Sequence, residues 1–190
     1  VTGSSRGIGK DIALALADAG CDICVAAKTT EPHPTLPGTI FETRDAVQAL
    51  GRKSIAVKVN LREEDEIKNM VDTTVAELGR VDILINNAGA LWWRDVADPP
   101  LKKFDLVMDV NARAAYGCAY HCLPHMKKQG YGHIINMSPP IEPAMTPGKV
   151  AYFISKFGMT LVAHGLAQEV KRDNIAVNAL WPATIVESLA

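Results

Sequence analysis

The sequence opens with V-T-G-S-S-R-G-I-G (residues 1–9), whose glycines are spaced G-x-x-x-G-x-G. Apolar residues at helical spacing follow at once and end near Gly20, and a strand-like segment comes directly after them. A glycine-rich turn between a strand and a helix lets backbone N–H groups approach a phosphate, and the helix N-terminus adds partial positive charge. We therefore favour a nucleotide-binding loop over an ordinary glycine-rich turn, also because Thr2 precedes the first glycine.

The second strand predicts which dinucleotide this loop would bind. It reads D-I-C-V-A-A (residues 22–27) and is followed by Lys28 and Thr29. In NAD-binding folds of this type, an acidic residue near the end of the second strand binds the ribose 2′-hydroxyl. No acid stands there, whereas Lys28 follows the strand and Arg6 lies in the glycine loop. Two cations without a carboxylate suit a 2′-phosphate, which favours NADP(H) over NAD(H); a Lys28 that is simply solvated is the alternative.

Strands and helices alternate along the rest of the chain. Further strands are predicted at 54–59, 81–85, 132–137 and 175–180, and further helices near 40–50, 60–78, 101–128 and 151–172. The alternation predicts βαβ units, and hence a doubly wound parallel sheet of Rossmann type in a three-layer α/β/α domain spanning residues 1–190. The proline-rich residues 30–39 are predicted to form an irregular loop. The helix at 101–128 is expected to be interrupted near Asn111.

Charge and composition exclude several classes of function. A net charge of −1 gives no support for nucleic-acid or membrane-surface binding. No apolar run approaches the roughly 18 residues of a membrane span, so none is expected. Cys21 and Cys24 lie in a predicted strand on opposite faces, and His121 and His125 lack an obvious third ligand. We therefore predict no metal site, and reduced thiols in an intracellular protein whose compartment the residues do not specify.

A second motif, Tyr152-x-x-x-Lys156, stands near the start of the last long helix. Residues i and i+4 lie on the same helix face, roughly 6 Å apart along the axis. An ammonium group so placed stabilises a tyrosinate and lowers the pKa of the phenol from about 10. Such a tyrosine can donate a proton to a carbonyl oxygen or accept one from an alcohol. Taken alone, the motif is more often an ordinary surface pair.

Five features occur in one order, each where a parallel α/β sheet exposes the carboxyl ends of its strands. They are the glycine loop, N-N-A-G (residues 86–89), Asn111, Ser138 after I-N-M, and Tyr152-x-x-x-Lys156. Together they resemble the short-chain dehydrogenase/reductase family over nearly the whole chain. The shorter segments A-A-K-T, P-H-P, S-P-P and N-A-L-W-P resemble one branch of it, for which lipid-like or steroid-like alcohols are the expected substrates.

The resemblance implies a role for each matching residue. Tyr152 would be the general acid/base, and Lys156 would depress its pKa and bind the nicotinamide ribose. Ser138 would hold the substrate oxygen, and Asn111 would support an ordered water. The implied cofactor contacts lie in the loop, at the strand ends and after the last strand: Thr2, Gly3, Ser5, Arg6, Gly7, Ile8, Gly9, Lys28, Asn60, Leu61, Asn87, Ala88, Gly89, Tyr152, Lys156, Pro182 and Ile185.

The chain departs from the family pattern in three places. Asn60 stands where the family usually has an aspartate near the adenine, which should weaken that contact without removing it. Pro182-Ala183 replaces the usual Pro-Gly, and alanine disfavours positive φ. Both ends resemble cuts: most of a central first strand would precede Val1, and a substrate-covering segment with a last strand would follow Ala190.

The sequence thus predicts an NADP-dependent oxidoreductase that transfers a hydride between nicotinamide and a small-molecule carbonyl or secondary alcohol. A dinucleotide-binding protein with a structural or sensing role and no useful turnover is the alternative. The helices at 101–128 and 151–172 carry apolar residues on more than one face. The resemblance implies that they pair across two-fold axes in a homodimer or homotetramer.

Overall fold

Helices and strands alternate through the part of the chain that the computed structural model describes, residues 1–98, 100–140 and 142–182. The strands are β1 (Ile23–Ala27), β2 (Ser54–Lys58), β3 (Ile83–Asn86), β4 (Gly132–Met137) and β5 (Ile175–Leu180). The α-helices are α1 (Gly7–Asp18), α2 (Ile40–Ala49), α3 (Glu64–Leu78), α4 (Leu101–Met108), α5 (Ala114–Gln129) and α6 (Val150–Glu169). The strands and helices predicted from the sequence are present, and their ends differ by a few residues.

Parallel strands form two sheets that meet edge to edge. β1 pairs with β2, and β4 lies between β3 and β5. The first residues link the two sheets: the Thr2 amide donates to the Ile85 carbonyl at 3.0 Å, and the Ala26 amide donates to the Val1 carbonyl at 3.2 Å. The order across the molecule is therefore β2, β1, residues 1–2, β3, β4 and β5, which is that of a doubly wound Rossmann-type sheet.

A groove of about 440 Å³ separates the two sheets at the amino-terminal ends of their strands. It begins at Val1 and Thr2 and passes between Cys24 of β1 and Leu84 of β3. The backbone hydrogen bonds that join the two sheets lie at the opposite edge, where the strands end and the candidate site lies.

Two clusters of buried side chains hold the helices on the sheet. The smaller joins α1 and α2 to β1 through Ala13, Ala17, Ile23, Val25, Ile40 and Val47. The larger joins α3, α5 and α6 to the other strands, and its members include Met70, Leu84, Cys118, Cys122, Met126, Ile134, Ala163 and Val177. Burial raises the pKa of Cys118 to about 12, and it raises the pKa of Cys122 as well. Both thiols consequently remain neutral packing groups.

The long helical region is interrupted where the sequence predicts. α4 ends at Met108, a π-helical turn spans Asp109–Arg113, and α5 continues from Ala114. The turn places the Asn111 side chain in the interior, where it is fully buried. π-Helical turns inside α-helices are frequent at functional sites, because they redirect side chains and backbone groups.

The helix α6 is both long and apolar. By length and composition alone it could cross a membrane, with a mean hydropathy of 1.3 over its 18-residue window, of which 28% is buried. Length and composition of a single helix are weak evidence for a membrane span, and the expectation that the chain has none stays a prediction. The helix packs on β4 and β5 and carries the buried Lys156. That is the placement of a core helix in a sheet-based domain.

The close contact of Gly9 with the glycine loop yields a stability prediction. A Cβ at Gly9 would lie 2.3 Å from the Gly3 carbonyl oxygen and 2.4 Å from Asn87 Nδ2, whereas one at Gly165 in α6 would meet nothing within 4 Å. We expect Gly9→Ala to lower the free energy of unfolding by about 1–3 kcal/mol through overpacking. Gly165→Ala should raise it by roughly 0.5–1 kcal/mol through helix propensity. Urea titrations measure the free energy of unfolding of both variants. Equal changes in the two variants would contradict the close contact of Gly9 with the glycine loop.

Candidate active site

The predicted phosphate loop lies at the carboxyl ends of β1 and β3, where hydrogen bonds of Thr2 and Asn87 hold it. The Thr2 hydroxyl donates to the Ile85 carbonyl at 3.2 Å and accepts from the amides of Asn87 and Ala88, each at 3.1 Å. The Asn87 side chain donates to the Thr2 carbonyl at 3.0 Å. The glycine loop and the N-N-A-G segment thus form one surface, although Thr2 and Asn87 are 85 residues apart in the chain.

The start of α1 has the donors that a dinucleotide phosphate needs. The helix begins at Gly7, and its first amide groups, those of Gly7, Ile8 and Gly9, have no partner within the helix. No side-chain hydrogen bond caps this end among the described residues. Since unpaired amides and the helix dipole both favour a bound anion, the loop fits a phosphate.

Arg6 is held in place beside this loop. Its Nη2 donates to Thr29 Oγ1 at 2.9 Å and to the Gly38 carbonyl at 3.3 Å, while its buried Nε has no partner among the described residues. A Cβ at Gly38 would lie 2.4 Å from the Ser5 carbonyl oxygen, so the proline-rich loop packs directly on the glycine loop. Lys28 is exposed nearby. In the described ranges neither cation forms a salt bridge with a carboxylate.

Lys156 is the buried cation of the site. Its side chain enters from α6, and the residue is only 7% exposed. Its Nζ donates to the Met137 carbonyl at the end of β4 at 2.8 Å, and it lies 3.5 Å from Met159 Sδ. A Cβ at Gly89 would be 3.5 Å from this Nζ, so N-N-A-G borders it. Burial lowers the pKa of Lys156 to about 8.

Tyr152 lies one turn before Lys156 on α6, partly buried against aromatic rings. The centroid of its ring is 6.4 Å from that of Trp93 and 5.9 Å from that of Phe153, both in edge-to-face arrangements. Burial raises the pKa of the Tyr152 phenol. Lys156 does not lower the pKa of Tyr152 in this structure, where the ammonium group donates to the Met137 carbonyl.

Asn111 joins three segments around the pair. Its Nδ2 donates to the Ala90 carbonyl at 3.0 Å and to Ser155 Oγ at 2.8 Å, and its Oδ1 accepts from the Ala90 amide at 2.7 Å. Ser155 Oγ donates in turn to the Tyr152 carbonyl at 2.7 Å. Asn111 thus connects the segment after β3 with α6, and its predicted support of an ordered water stays a prediction.

The Ser138 side chain does not have the freedom that its predicted role requires. It is 2% exposed. Its hydroxyl lies 2.7 Å from the Lys156 carbonyl, to which it donates, and 2.8 Å from Thr160 Oγ1. The structure therefore gathers Asn111, Tyr152 and Lys156 with Ser138 close by, but the Ser138 hydroxyl is bonded within the protein.

The remaining predicted cofactor contacts have simpler surroundings. The Asn60 side chain is hydrogen-bonded within its own turn, to Glu63 Oε1 at 3.4 Å and to the Arg62 amide at 3.4 Å. Leu61 is buried beside it in the core. Pro182 is partly exposed at the end of the described chain, and Ile185 lies outside the described residues.

Two residues of the site were missed by sequence reasoning. Ser155 is fully buried under Asn111, and Thr160 bonds both Ser138 and the indole Nε1 of Trp181, the latter at 3.1 Å. Both are hydroxyl residues in a largely apolar helix, which is the signal that would have singled them out. A hydroxyl on a buried helix face needs a partner there.

The buried amine yields a prediction for stability against pH. Its folded-state pKa of about 8 lies below the ordinary value of 10.5, so the unfolded chain binds this proton more tightly. The stability that Lys156 contributes should therefore rise as the pH increases from about 8 towards 10.5. Between pH 7 and pH 9 we expect the wild type to gain about 1 kcal/mol in unfolding free energy relative to Lys156→Met. Urea unfolding measures the free energy of unfolding of both proteins at each pH. If the two free energies changed with pH in parallel, the burial of the Lys156 amine would be contradicted.

Comparisons with known proteins identify the family of this chain. The model of the short chain dehydrogenase family matches residues 1–189. Hydroxysteroid dehydrogenase-like protein 2 of Bos taurus and that of Homo sapiens are each 43% identical to this chain over 192 residues, which cover 100% of this chain and 46% of each relative. The chain thus spans about half the length of the curated relatives it matches. The resemblance to a branch of the family is confirmed.

Solved structures confirm the fold class. A short chain dehydrogenase from Mycobacterium thermoresistibile superposes with a TM-score of 0.93 at 39% identity, covering 98% of this chain and 67% of that one. A metagenomic short-chain oxidoreductase in complex with NADP superposes with a TM-score of 0.88 at 28% identity, covering 97% of this chain and 80% of that one. An NAD⁺-bound xylitol dehydrogenase superposes with a TM-score of 0.87 at 27% identity, covering 95% of this chain and 67% of that one. With the glycine loop, N-N-A-G, Asn111 and the Tyr152–Lys156 pair at one sheet edge, this chain belongs to the short-chain dehydrogenase family.

Proposed function

We propose that this protein is an NADP(H)-dependent oxidoreductase that interconverts a carbonyl compound and a secondary alcohol. The observation that carries the proposal is the arrangement on α6: Tyr152 and the buried Lys156 stand beside N-N-A-G, which is bonded to the phosphate loop. When bound, the nicotinamide cofactor supplies or accepts the hydride. The protein has to bind the cofactor, orient the substrate and move one proton.

Tyr152 is the group that moves this proton in our proposal. Its phenol donates to the carbonyl oxygen during reduction and accepts from the alcohol during oxidation. An ordinary phenol is already protonated at neutral pH, and burial raises the pKa of Tyr152 further, so the proton that reduction requires is present. Lys156, with a pKa lowered to about 8, changes charge close to working pH and would replace the proton. Asn111 holds the segment at Ala90 against α6 and so fixes the wall of the site.

The choice of NADP(H) is supported by Arg6. Its guanidinium is already positioned by Thr29 and Gly38, and its buried Nε has no partner among the described residues. Neither Arg6 nor the exposed Lys28 is neutralised by a carboxylate among the described residues. A 2′-phosphate would place two negative charges beside two cations, whereas NAD(H) would leave both without a partner.

Lipid-like or steroid-like alcohols are the proposed substrates. Trp93, whose ring meets the edge of Tyr152, is 50% exposed, and Trp181, bonded to Thr160 beside Ser138, is 46% exposed. Large apolar rings exposed next to a polar centre are typical of a pocket for an apolar ligand. The relatives that bear the name hydroxysteroid dehydrogenase-like protein 2 also support this class.

A second copy of the chain is the proposed partner, in a homodimer or homotetramer. A groove of about 370 Å³ lies between α5 and α6, and the exposed Tyr116, Tyr120 and Leu161 line it. Apolar patches of this kind on soluble domains mark interaction sites. A two-fold axis would bring the same two helices of each copy together and cover both grooves at once.

Cofactor preference is the first test of the proposal. We expect NADPH to bind at least about tenfold more tightly than NADH, a difference of ~1.4 kcal/mol, because of Arg6 and Lys28. Fluorescence titration of the two cofactors measures the ratio. In the double variant Arg6→Ala/Lys28→Ala the ratio should approach one, since both cations are removed. A control change of an exposed lysine in α3, Lys68→Ala, should leave this ratio unchanged. Equal affinities of the wild type for NADPH and NADH would exclude the preference for NADP(H).

Proton transfer is the second test. Tyr152→Phe keeps the ring against Trp93 and Phe153 but removes the acid, so kcat for carbonyl reduction should fall by about 10²–10⁴-fold. NADPH affinity should hardly change. Lys156→Ala should lower kcat and also weaken NADPH binding. A Tyr152→Phe variant with near-normal kcat would refute the assignment of Tyr152 as the proton donor.

The non-catalytic alternative has its own test. If the protein binds NADPH but does not oxidise NADPH with any member of a broad panel of carbonyls, a dinucleotide-binding protein without useful turnover is favoured.

A further inference from the structure

The indole ring of Trp93 connects the proposed proton donor with a second cation. Tyr152 meets this ring edge to face, with 6.4 Å between the two ring centroids. The ammonium group of Lys149 lies over the same ring, and its Nζ is 4.9 Å from the centroid. Lys149 directly precedes the first residue of α6, about one turn before Tyr152. One exposed aromatic ring therefore contacts both the phenol and an ammonium group.

Lys149 forms no salt bridge in the part of the chain that the structure describes. A carboxylate does border the same turn: Asp95 Oδ1 would be 3.6 Å from a Cβ at Gly148. The Lys149 side chain nevertheless lies over the indole ring and is not paired with this acid. The ring stabilises the charge in part, and an anion brought to the ammonium group would add a charge-assisted hydrogen bond.

The other cations of this region lie over a different ring. The Arg94 guanidinium is 5.9 Å from the centroid of Trp92, and Lys103 Nζ is 4.6 Å from it. A ligand that lies along Trp93 would thus meet the single positive charge of Lys149. A carboxylate carries one negative charge at neutral pH, whereas a phosphate monoester carries close to two. The anion that matches Lys149 is therefore a carboxylate.

We propose that Lys149 binds a carboxylate of the substrate, so that this enzyme reduces oxo acids and oxidises the corresponding hydroxy acids. The inference rests on the proposed function and narrows its lipid-like substrates to those that carry an acid group. With the oxo group at the Tyr152 phenol, the apolar chain would lie along the Trp93 ring and the carboxylate would meet the Lys149 ammonium group. If Lys149 only packed on Trp93, acids and their neutral esters would be used alike.

The first test measures turnover in the full-length protein with NADPH. Its probes are oxodecanoates with the oxo group at successive carbons, each paired with its methyl ester. For the best oxodecanoate we expect kcat/KM to exceed that of the ester by about 10–100-fold, because the ester keeps the chain but lacks the charge. Lys149→Gln should abolish this advantage through a higher KM for the acid, with kcat little changed, since the carboxylate does not react. Lys149→Arg should keep it.

Lys103→Gln is the matched control. It removes the same charge from the neighbouring indole ring, that of Trp92, and so reports any effect of the general positive potential. The acid-to-ester ratio of kcat/KM should stay at the wild-type value in this variant. A wild type that uses acid and ester equally well would overturn the inference. So would a Lys103→Gln variant that lowers the ratio as much as Lys149→Gln does.

A binding measurement separates this inference from the proposed function. Decanoate has the carboxylate but no oxo group, and methyl decanoate lacks the charge, so neither needs turnover. Tryptophan fluorescence follows their titration into the protein with and without NADPH. We expect decanoate to bind at least about tenfold more tightly than methyl decanoate to the wild type and to Lys103→Gln, and equally tightly to Lys149→Gln. If this difference is found but no oxo compound is reduced, the proposed function fails and the carboxylate site stands. Equal binding of the two compounds to the wild type would overturn the site, whatever the turnover.

Discussion

The hydrogen bond from the buried Lys156 ammonium group to the Met137 carbonyl is the contact around which the candidate site is arranged. A charge inside a protein is costly unless it is bonded, and this one has a strand-end carbonyl as its partner. The remaining cost appears as the lowered pKa of about 8. The burial of this amine depends on how α6 is fixed to β4.

Buried amides carry much of this fixation. Asn86 of β3 donates to the Asn136 side chain of β4 at 2.9 Å, and Asn136 donates to the Met159 carbonyl of α6 at 2.9 Å. Asn111 makes a similar link between the segment after β3 and Ser155. These side chains are satisfied in the interior, which makes each of them geometrically specific. The same strands and helix therefore cannot shift past each other without leaving buried polar groups unpaired.

The sheet depends on a second set of contacts, at the junction of its two parts. Thr2 is bonded to Ile85 and to the amides of residues 87–88, and Asn87 returns a bond to Thr2. One threonine and one asparagine thus bring the glycine loop and N-N-A-G together. The predicted phosphate loop and the Tyr152–Lys156 pair consequently lie along one edge of the sheet, since N-N-A-G also borders Lys156.

The sequence by itself determined the order and type of the secondary structure, the glycine loop, the break near Asn111 and the Tyr152–Lys156 pair. These are local signals, in which a period or a spacing of a few residues specifies the outcome. Only the tertiary structure decided that the Lys156 ammonium bonds Met137, that burial raises the pKa of Tyr152, and that the Ser138 hydroxyl is directed inward. Each of these depends on desolvation and on hydrogen bonds between segments distant in the chain, and no spacing in the sequence encodes where a buried proton points.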